Sequence, residues 1–221
     1  MDELIRRLAK LDTCSVSDAL DKLGLAGAVT GLSPLTVRRR VAGRTVTVKL
    51  GAPMEGAPKR HLGAGAVMAA QPGDVIVVEH RGRIDVSGWG GLLSRGAVMK
   101  GVAAVIVDGA CRDVDESQEL GLAVFARAAV PVTARGRVAE HGFNEPITVA
   151  GVAVRPGDLV LADGSGVVFV AADKAEAVIA AAEAIFAREQ LMAADIERGR
   201  PIGEVMGADY EDMLKQKEAG R

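Results

Sequence analysis

Aromatic residues are nearly missing from this chain: one Trp, one Tyr and four Phe make up 3% of 221 residues. A single-stranded nucleic-acid binder needs stacking platforms, and these rings leave little to build them from. Excess positive charge is missing too. Lys and Arg number 27 against 29 Asp and Glu, a formal net charge of −2, so no overall field exists to hold a phosphate backbone. Cysteine is scarce. Cys14 and Cys111 lie far apart, match no C-x-x-C pattern and imply no disulfide framework. The three histidines, His61, His80 and His141, are dispersed without metal-ligand spacing. No apolar run approaches the roughly 18 residues of a membrane span, and the start, MDELIRRLAK, is charged where a secretory signal needs an apolar stretch. These absences predict a soluble, cytoplasmic protein that binds neither nucleic acid nor membrane.

What is present is a core of small aliphatic side chains. Hydrophobic residues are 49% and charged residues 25%, a globular balance carried by Val, Ala, Leu and Ile. A mass of 22.8 kDa without repeat, low-complexity stretch or linker fits one domain over 1–221.

Periodicity orders that domain as α/β. Asp2 to Lys10 places Leu4, Ile5, Leu8 and Leu11 at helical spacing, and a second short helix opens at Ser15 and stops at Gly24. Arg44 to Leu50 alternates as a half-buried strand, and Gly51 to Pro58 carries two prolines and reads as a loop. Lys59 to Ala70 reads as a helix, Gln71-Pro72-Gly73 as a turn, and Asp74 to Glu79 as a strand covered on both faces. Gly90 to Lys100 reads as a glycine turn entering a helix, and Val102 to Val107 as a second buried strand. Asp108 to Cys111 is expected to turn out of that strand into a short acidic helix, Arg112 to Leu120, before a third strand, Leu122 to Ala126. From Ile147 short apolar runs split by glycine and Pro156-Gly157 suggest antiparallel strands, so the sheet is mixed. Asp173, with Glu176 three residues on, reads as the capping box of a long helix ending near Arg198.

Chemistry concentrates in Gly88 to Glu116, GWGGLLSRGAVMKGVAAVIVDGACRDVDE. A helix start and a strand-end loop fall together there, and ligand crevices of open α/β sheets form at strand ends. The amides of Gly91, Leu92 and Leu93 could attract a carboxylate, Arg112 could add a two-pronged ion pair, and Asp113 could hold a divalent cation. Spacing alone leaves the plainer alternatives open: Arg112-Asp113 as a surface pair and Gly90-Gly91 as a structural turn. Asp115 and Glu116 read as surface acids favoured by a helix dipole. On the last helix Val178, Ala182, Ile185, Glu189, Met192 and Ile196 share a stripe, so Glu189 is either a site residue or an edge position reaching solvent. No G-x-S-x-G elbow, Walker phosphate loop or dinucleotide fingerprint is present, which also removes a methyltransferase reading.

Leu11 to Gly24 (LDTCSVSDALDKLG), Pro72 to Glu79 (PGDVIVVE), Gly101 to Glu116, Gly121 to Arg127 (GLAVFAR) and Pro156 to Val170 (PGDLVLADGSGVVFV) resemble the RraA-like family over nearly the whole chain. That family includes 4-hydroxy-4-methyl-2-oxoglutarate aldolases, which also decarboxylate oxaloacetate, and the regulator of ribonuclease E activity A. The resemblance implies a swivelling β/β/α fold, a homotrimer or dimer of trimers with sites between subunits, and a Mg2+ or Mn2+ cofactor. It implies that Arg112 binds the pyruvyl group of a small 2-oxo acid, that Asp113 anchors the ion, and that Leu92 and Leu93 offer amides to the substrate carboxylate. By helix register Glu189 matches a glutamate donated by a neighbouring subunit. The function implied is a metal-dependent lyase, with a non-catalytic regulator of the ribonuclease E type as the alternative. One departure stands out: aldolases of the family carry an aspartate 21 residues before the arginine, and position 91 is Gly here. Asp85, Asp108 or Glu189 are the acids the sequence offers in its place, and Gly91→Asp is expected to raise oxaloacetate decarboxylation.

Overall fold

The computed structural model describes residues 2–54 and 61–207. Two short helices, α1 (Glu3–Leu8) and α2 (Thr13–Lys22), lead into the strand pieces β1 (Ala28–Val29) and β2 (Ser33–Pro34). A long strand β3 (Val41–Gly51) is followed by α3 (Ala64–Ala69), β4 (Val75–Ser87), α4 (Gly91–Met99), β5 (Ala104–Cys111), α5 (Val114–Glu119) and β6 (Ala123–Ala129). Then come β7 (Ala139–Phe143), a hairpin of β8 (Ile147–Val149) and β9 (Val152–Val154), and β10 (Leu159–Ala162) with β11 (Val167–Val170). The last described elements are α6 (Ala175–Glu197) and α7 (Ile202–Val205).

The main sheet has the order β1-β11-β10-β3-β4-β5-β6-β2, with β7 added to β3. Strands β3 to β6 run parallel and the others pair antiparallel, so the expected mixed sheet is present, curled into a half-barrel. The period-2 alternation of strand side chains divides the core. Ile76 and Val78 of β4 and Val105 and Val107 of β5 face α3 and α4, where Trp89, Leu93 and Ala97 cover them. Their alternates Val75, Val77, Ala104 and Ile106 turn inside the curl, against Phe125, Phe169 and the β8–β9 hairpin. Leu159, Leu161, Val168 and Val170 pack outward beneath α1, α2 and α6. Each fully buried Val, Leu or Ile contributes roughly 1.5–3 kcal/mol of transfer free energy, so the small aliphatic residues hold the sheet without many rings.

Several local expectations change. Asp12 rather than Ser15 caps α2, its Oδ1 accepting the Ser15 N–H at 2.8 Å. The capping box at Asp173 does not form: a 3-10 turn, Ala172–Lys174, precedes α6, and Glu176 pairs with Arg7 of α1 at 2.7 Å. The helix expected over Lys59 to Ala70 is described only as Ala64–Ala69, and 55–60 lie outside the described residues. Strand β4 continues eight residues past Glu79 to Ser87, turning through Arg81 and Gly82, whose φ angles are 55° and 71°. Asp108 to Cys111 stays in β5 instead of turning out. Both extensions carry register shifts, where β4 and β5 bend together.

Candidate active site

The bent ends of β4 and β5 open a cavity of about 640 Å³. It is lined by Ser87, Trp89, Gly90 and Gly91, by Arg112 and Asp113, and by Thr133 to Gly136 with Val138. Leu92 and Leu93 of α4 and His61 and Leu62 complete it. It sits at the carboxyl ends of parallel strands, where the connection to the next helix leaves a crevice.

Position 113 is where β5 hands the chain to α5. Asp113 has φ 55° and ψ 40°, a left-handed conformation that Asp tolerates better than most side chains. Its Oδ2 accepts the Gly91 N–H at 2.8 Å and lies 3.3 Å from Arg112 Nε. Arg112 is set from behind by its own N–H, which donates to the Trp89 carbonyl at 3.0 Å. Beneath them runs a buried hydroxyl chain. Trp89 Nε1 donates to Ser94 Oγ at 3.0 Å, Ser94 and Ser117 share a hydrogen bond of 2.8 Å, and Ser117 Oγ donates to the Asp113 carbonyl at 3.2 Å. The turn presenting Asp113 is thereby tied to both α4 and α5.

Gly90 and Gly91 admit a close approach of side chains rather than making a turn. Gly90 is extended, with φ −157°, a conformation open to any residue, yet a Cβ there would lie 2.9 Å from Asp113 Oδ2. A Cβ at Gly91 would lie 1.8 Å from Glu116 Oε2 and 3.2 Å from Asp113 Cβ. Glu116 is therefore not simply a solvated acid of α5. It is half-buried against the start of α4, and its Oε1 accepts from Arg95 Nε at 2.5 Å. A side chain at position 91 has to shift the Glu116 carboxylate, so Gly91→Asp alone does not insert an acid into open space.

The structure brings Arg112, Asp113, Gly91, Leu92 and Leu93 together around one cavity. The three helix-start amides differ, however. Gly91 N–H is engaged by Asp113 and Leu93 N–H by the Gly90 carbonyl, while Leu92 N–H has no acceptor among the described residues. Glu189 does not line the cavity within this chain. It lies half-buried on α6, and burial, followed by the charges of Asp18 and Asp12, raises its carboxyl above the usual carboxylate range. Of the acids offered for position 91, Asp85 is in an exposed pair with Arg83 at 2.7 Å, and buried Asp108 holds Arg127 at 2.6 Å. The reasoning from sequence missed Glu116 and the wall from Thr133 to Val138. The wall carries no motif; Glu116 shows itself only through the empty Cβ position it fills.

A metal site made wholly of protein donors is absent among the described residues, where no three His, Cys, Asp or Glu side chains cluster. The donor set still fits a hard divalent cation of the Mg2+ class, which keeps several waters and needs only one or two carboxylates. Asp113 Oδ1 makes no hydrogen bond to the described chain and is the oxygen placed to meet one.

The model of the RraA-like family, Aldolase/RraA, matches residues 13–169. A protein of Halalkalibacterium halodurans named "Putative 4-hydroxy-4-methyl-2-oxoglutarate aldolase" is 31% identical over 177 residues, covering 80% of this chain and 80% of its own length. Protein DlpA of Legionella pneumophila is 27% identical over 91% of this chain, which spans only 33% of that longer protein. The crystal structure of Streptomyces coelicolor RraAS2, described as an unusual member of the RNase ES inhibitor RraA protein family, superposes with a TM-score of 0.78 at 28% identity, covering 90% of this chain and 98% of that one.

Proposed function

The chain belongs to the RraA-like family, Aldolase/RraA, and from that premise we propose that it is a divalent-metal-dependent lyase that cleaves or decarboxylates a small 2-oxo acid. The observation that carries this reading is the convergence of Arg112, Asp113 and the α4 start on one cavity. Neither terminal guanidinium nitrogen of Arg112 bonds to the described chain, so both are available for a two-pronged grip on a carboxylate. Leu92 N–H adds a backbone donor. Arg135 also lines the cavity and gives it a second cation, which suits a substrate bearing negative charge. Asp113 would hold Mg2+ or Mn2+, and a bound divalent cation would act there as a Lewis acid toward the 2-oxo group.

The remaining residues position rather than react. The buried serines fix the turn at Asp113, and the buried Trp89 lines the cavity and anchors that hydroxyl chain. No helix among the described residues is long and apolar enough to cross a membrane. Assembly as a homotrimer or a dimer of trimers would bring a neighbour's Glu189 toward the cavity mouth, where Leu92 is 79% exposed. Light scattering at micromolar concentration tests that assembly, and a stable 22.8 kDa species would overturn it.

The likeness to RraAS2 and the glycine at 91 favour one other reading, a non-catalytic regulator that docks on a protein. A panel of 2-oxo acids, with pyruvate or carbon dioxide release followed with and without Mg2+ or Mn2+, separates the two. Metal-stimulated turnover of one member supports the lyase. Silence across the panel at high enzyme concentration transfers the assignment to the regulator.

A further inference from the structure

We propose that Glu116, reaching across from α5, supplies the second carboxylate of the metal site, acting from the place that a side chain at position 91 would occupy. The inference rests on the metal-site reading above and adds to it a residue that neither the Arg112-Asp113 pair nor the match to the family assigns. Its basis is steric. Glu116 Oε2 lies 1.8 Å from the position of a Cβ on Gly91, so the carboxylate fills the space in which a side chain at 91 would begin. Asp113 Cβ is 3.2 Å from that same point, which makes the two carboxylate-bearing side chains neighbours across the first turn of α4. Arg95 Nε takes Glu116 Oε1 at 2.5 Å. With one oxygen held, the other faces the helix start, the arrangement of an oriented carboxylate rather than a freely rotating one.

A carboxylate there has two possible roles. It either serves the ion, directly or through a bound water, or it only anchors Arg95 and joins α5 to α4. The geometry favours the first because Glu116 Oε2 and the Asp113 side chain both reach the space beside Gly91, at the first turn of α4. Hard divalent cations are commonly held by one or two carboxylates with water completing the shell, so a second acid beside Asp113 fits the chemistry.

Mn2+ binding measured by calorimetry, without substrate, separates these roles. Glu116→Gln keeps the shape and a hydrogen bond to Arg95 but removes the charge, and it should weaken Mn2+ about tenfold or more. Arg95→Met removes the hold that orients the acid but leaves its charge, and should weaken Mn2+ clearly less than Glu116→Gln does. Gly91→Asp combined with Glu116→Ala moves the acid to the other anchor point and should recover most of the affinity lost in Glu116→Ala. Far-UV circular dichroism and a melting curve accompany each variant. Equal Mn2+ affinity in Glu116→Gln, or a loss in Arg95→Met as large as in Glu116→Gln, overturns the role of Glu116 while leaving the metal-site reading standing. A wild type that binds no Mn2+ overturns that reading and this inference with it.

Discussion

The carboxylate of Asp113 accepts the Gly91 N–H at 2.8 Å, which joins the carboxyl end of β5 to the first turn of α4. The group placed to hold a cation therefore also holds part of the cavity lining. Its replacement acts on both, and the choice of variant decides what is learned.

Asp113→Ala removes the hydrogen bond, worth about 1 kcal/mol, and places alanine in the left-handed region at a further cost of about 1 kcal/mol. Asp113→Asn keeps an acceptor for Gly91 and a side chain tolerant of that conformation. Both variants should lose Mn2+ binding, while denaturant melts should show Asn within about 1 kcal/mol of wild type and Ala about 2 kcal/mol below it. Unchanged Mn2+ affinity in Asp113→Asn would remove Asp113 as the anchor.

Arg112 offers a cleaner separation of binding from folding. Its side chain is 38% exposed and its ion pair with Asp113 at 3.3 Å, the one it makes among the described residues, contributes at most about 1 kcal/mol to stability. Arg112→Lys should therefore melt within a few degrees of wild type. Lysine is a point charge and cannot reproduce a planar two-pronged grip on a carboxylate, so kcat/KM on the best 2-oxo acid should fall about 100-fold. A loss of less than about threefold would place the substrate carboxylate elsewhere.

The sequence made the strand and helix order from β3 to α5 legible because β-branched runs and glycine turns are local signals. Arg112 and Asp113 could be picked out for the same reason, as a charged pair where an apolar run ends. What remained hidden depended on approach in three dimensions. Asp108 to Cys111 looks like a turn because of Asp and Gly, yet Gly109 lies within β5 and leaves room for a ring from β4. The role of Gly91 could not be read without knowing that a residue 25 positions later fills the space above it. Glu176 satisfied the spacing of a capping box, and its carboxylate instead meets Arg7 on α1, a contact no local pattern announces.

The two cysteines differ in a way that alkylation can read. Burial pushes the Cys111 thiol up to about 11, and the side chain closes β5 directly behind Arg112, whereas Cys14 on α2 is exposed. The thiolate is the reactive form, so Cys111 is protected both by access and by protonation. Iodoacetamide at pH 8 should label one cysteine in the native protein and two in denaturant, with peptide mapping placing the native label on Cys14. Rapid native labelling at Cys111 would mean that the end of β5 opens easily.

His80 gives the fold a pH dependence. Its ring is 2% exposed and lies between two glycines, with Gly109 positioned so that a Cβ would fall 2.4 Å from the ring Cδ2 and Gly88 so that one would fall 3.0 Å from Cγ. Nε2 is 2.8 Å from the Val86 carbonyl, which makes it the protonated nitrogen of the neutral ring. Burial lowers its proton affinity, with the Val86 hydrogen bond opposing that shift. The folded state therefore binds the second proton less readily than the unfolded chain, where the ordinary value is 6.5. The stabilisation from neutral His80 is complete above that value and is lost as pH falls from it toward the lower folded-state value. Asp18 and Glu189 are shifted upward, the first cause in each case being burial, so they take up protons first in the folded state and oppose the trend. The wild-type slope is thus a sum, and His80→Gln isolates one contribution: stability between pH 7.5 and 5 should fall less steeply in the variant than in wild type. Gly109→Ala, which crowds the ring and the Arg83 carbonyl 2.6 Å away, should cost about 1–3 kcal/mol at pH 7.5. Parallel slopes for wild type and His80→Gln in urea melts would show that the ring gains its proton without leaving its seat between the glycines.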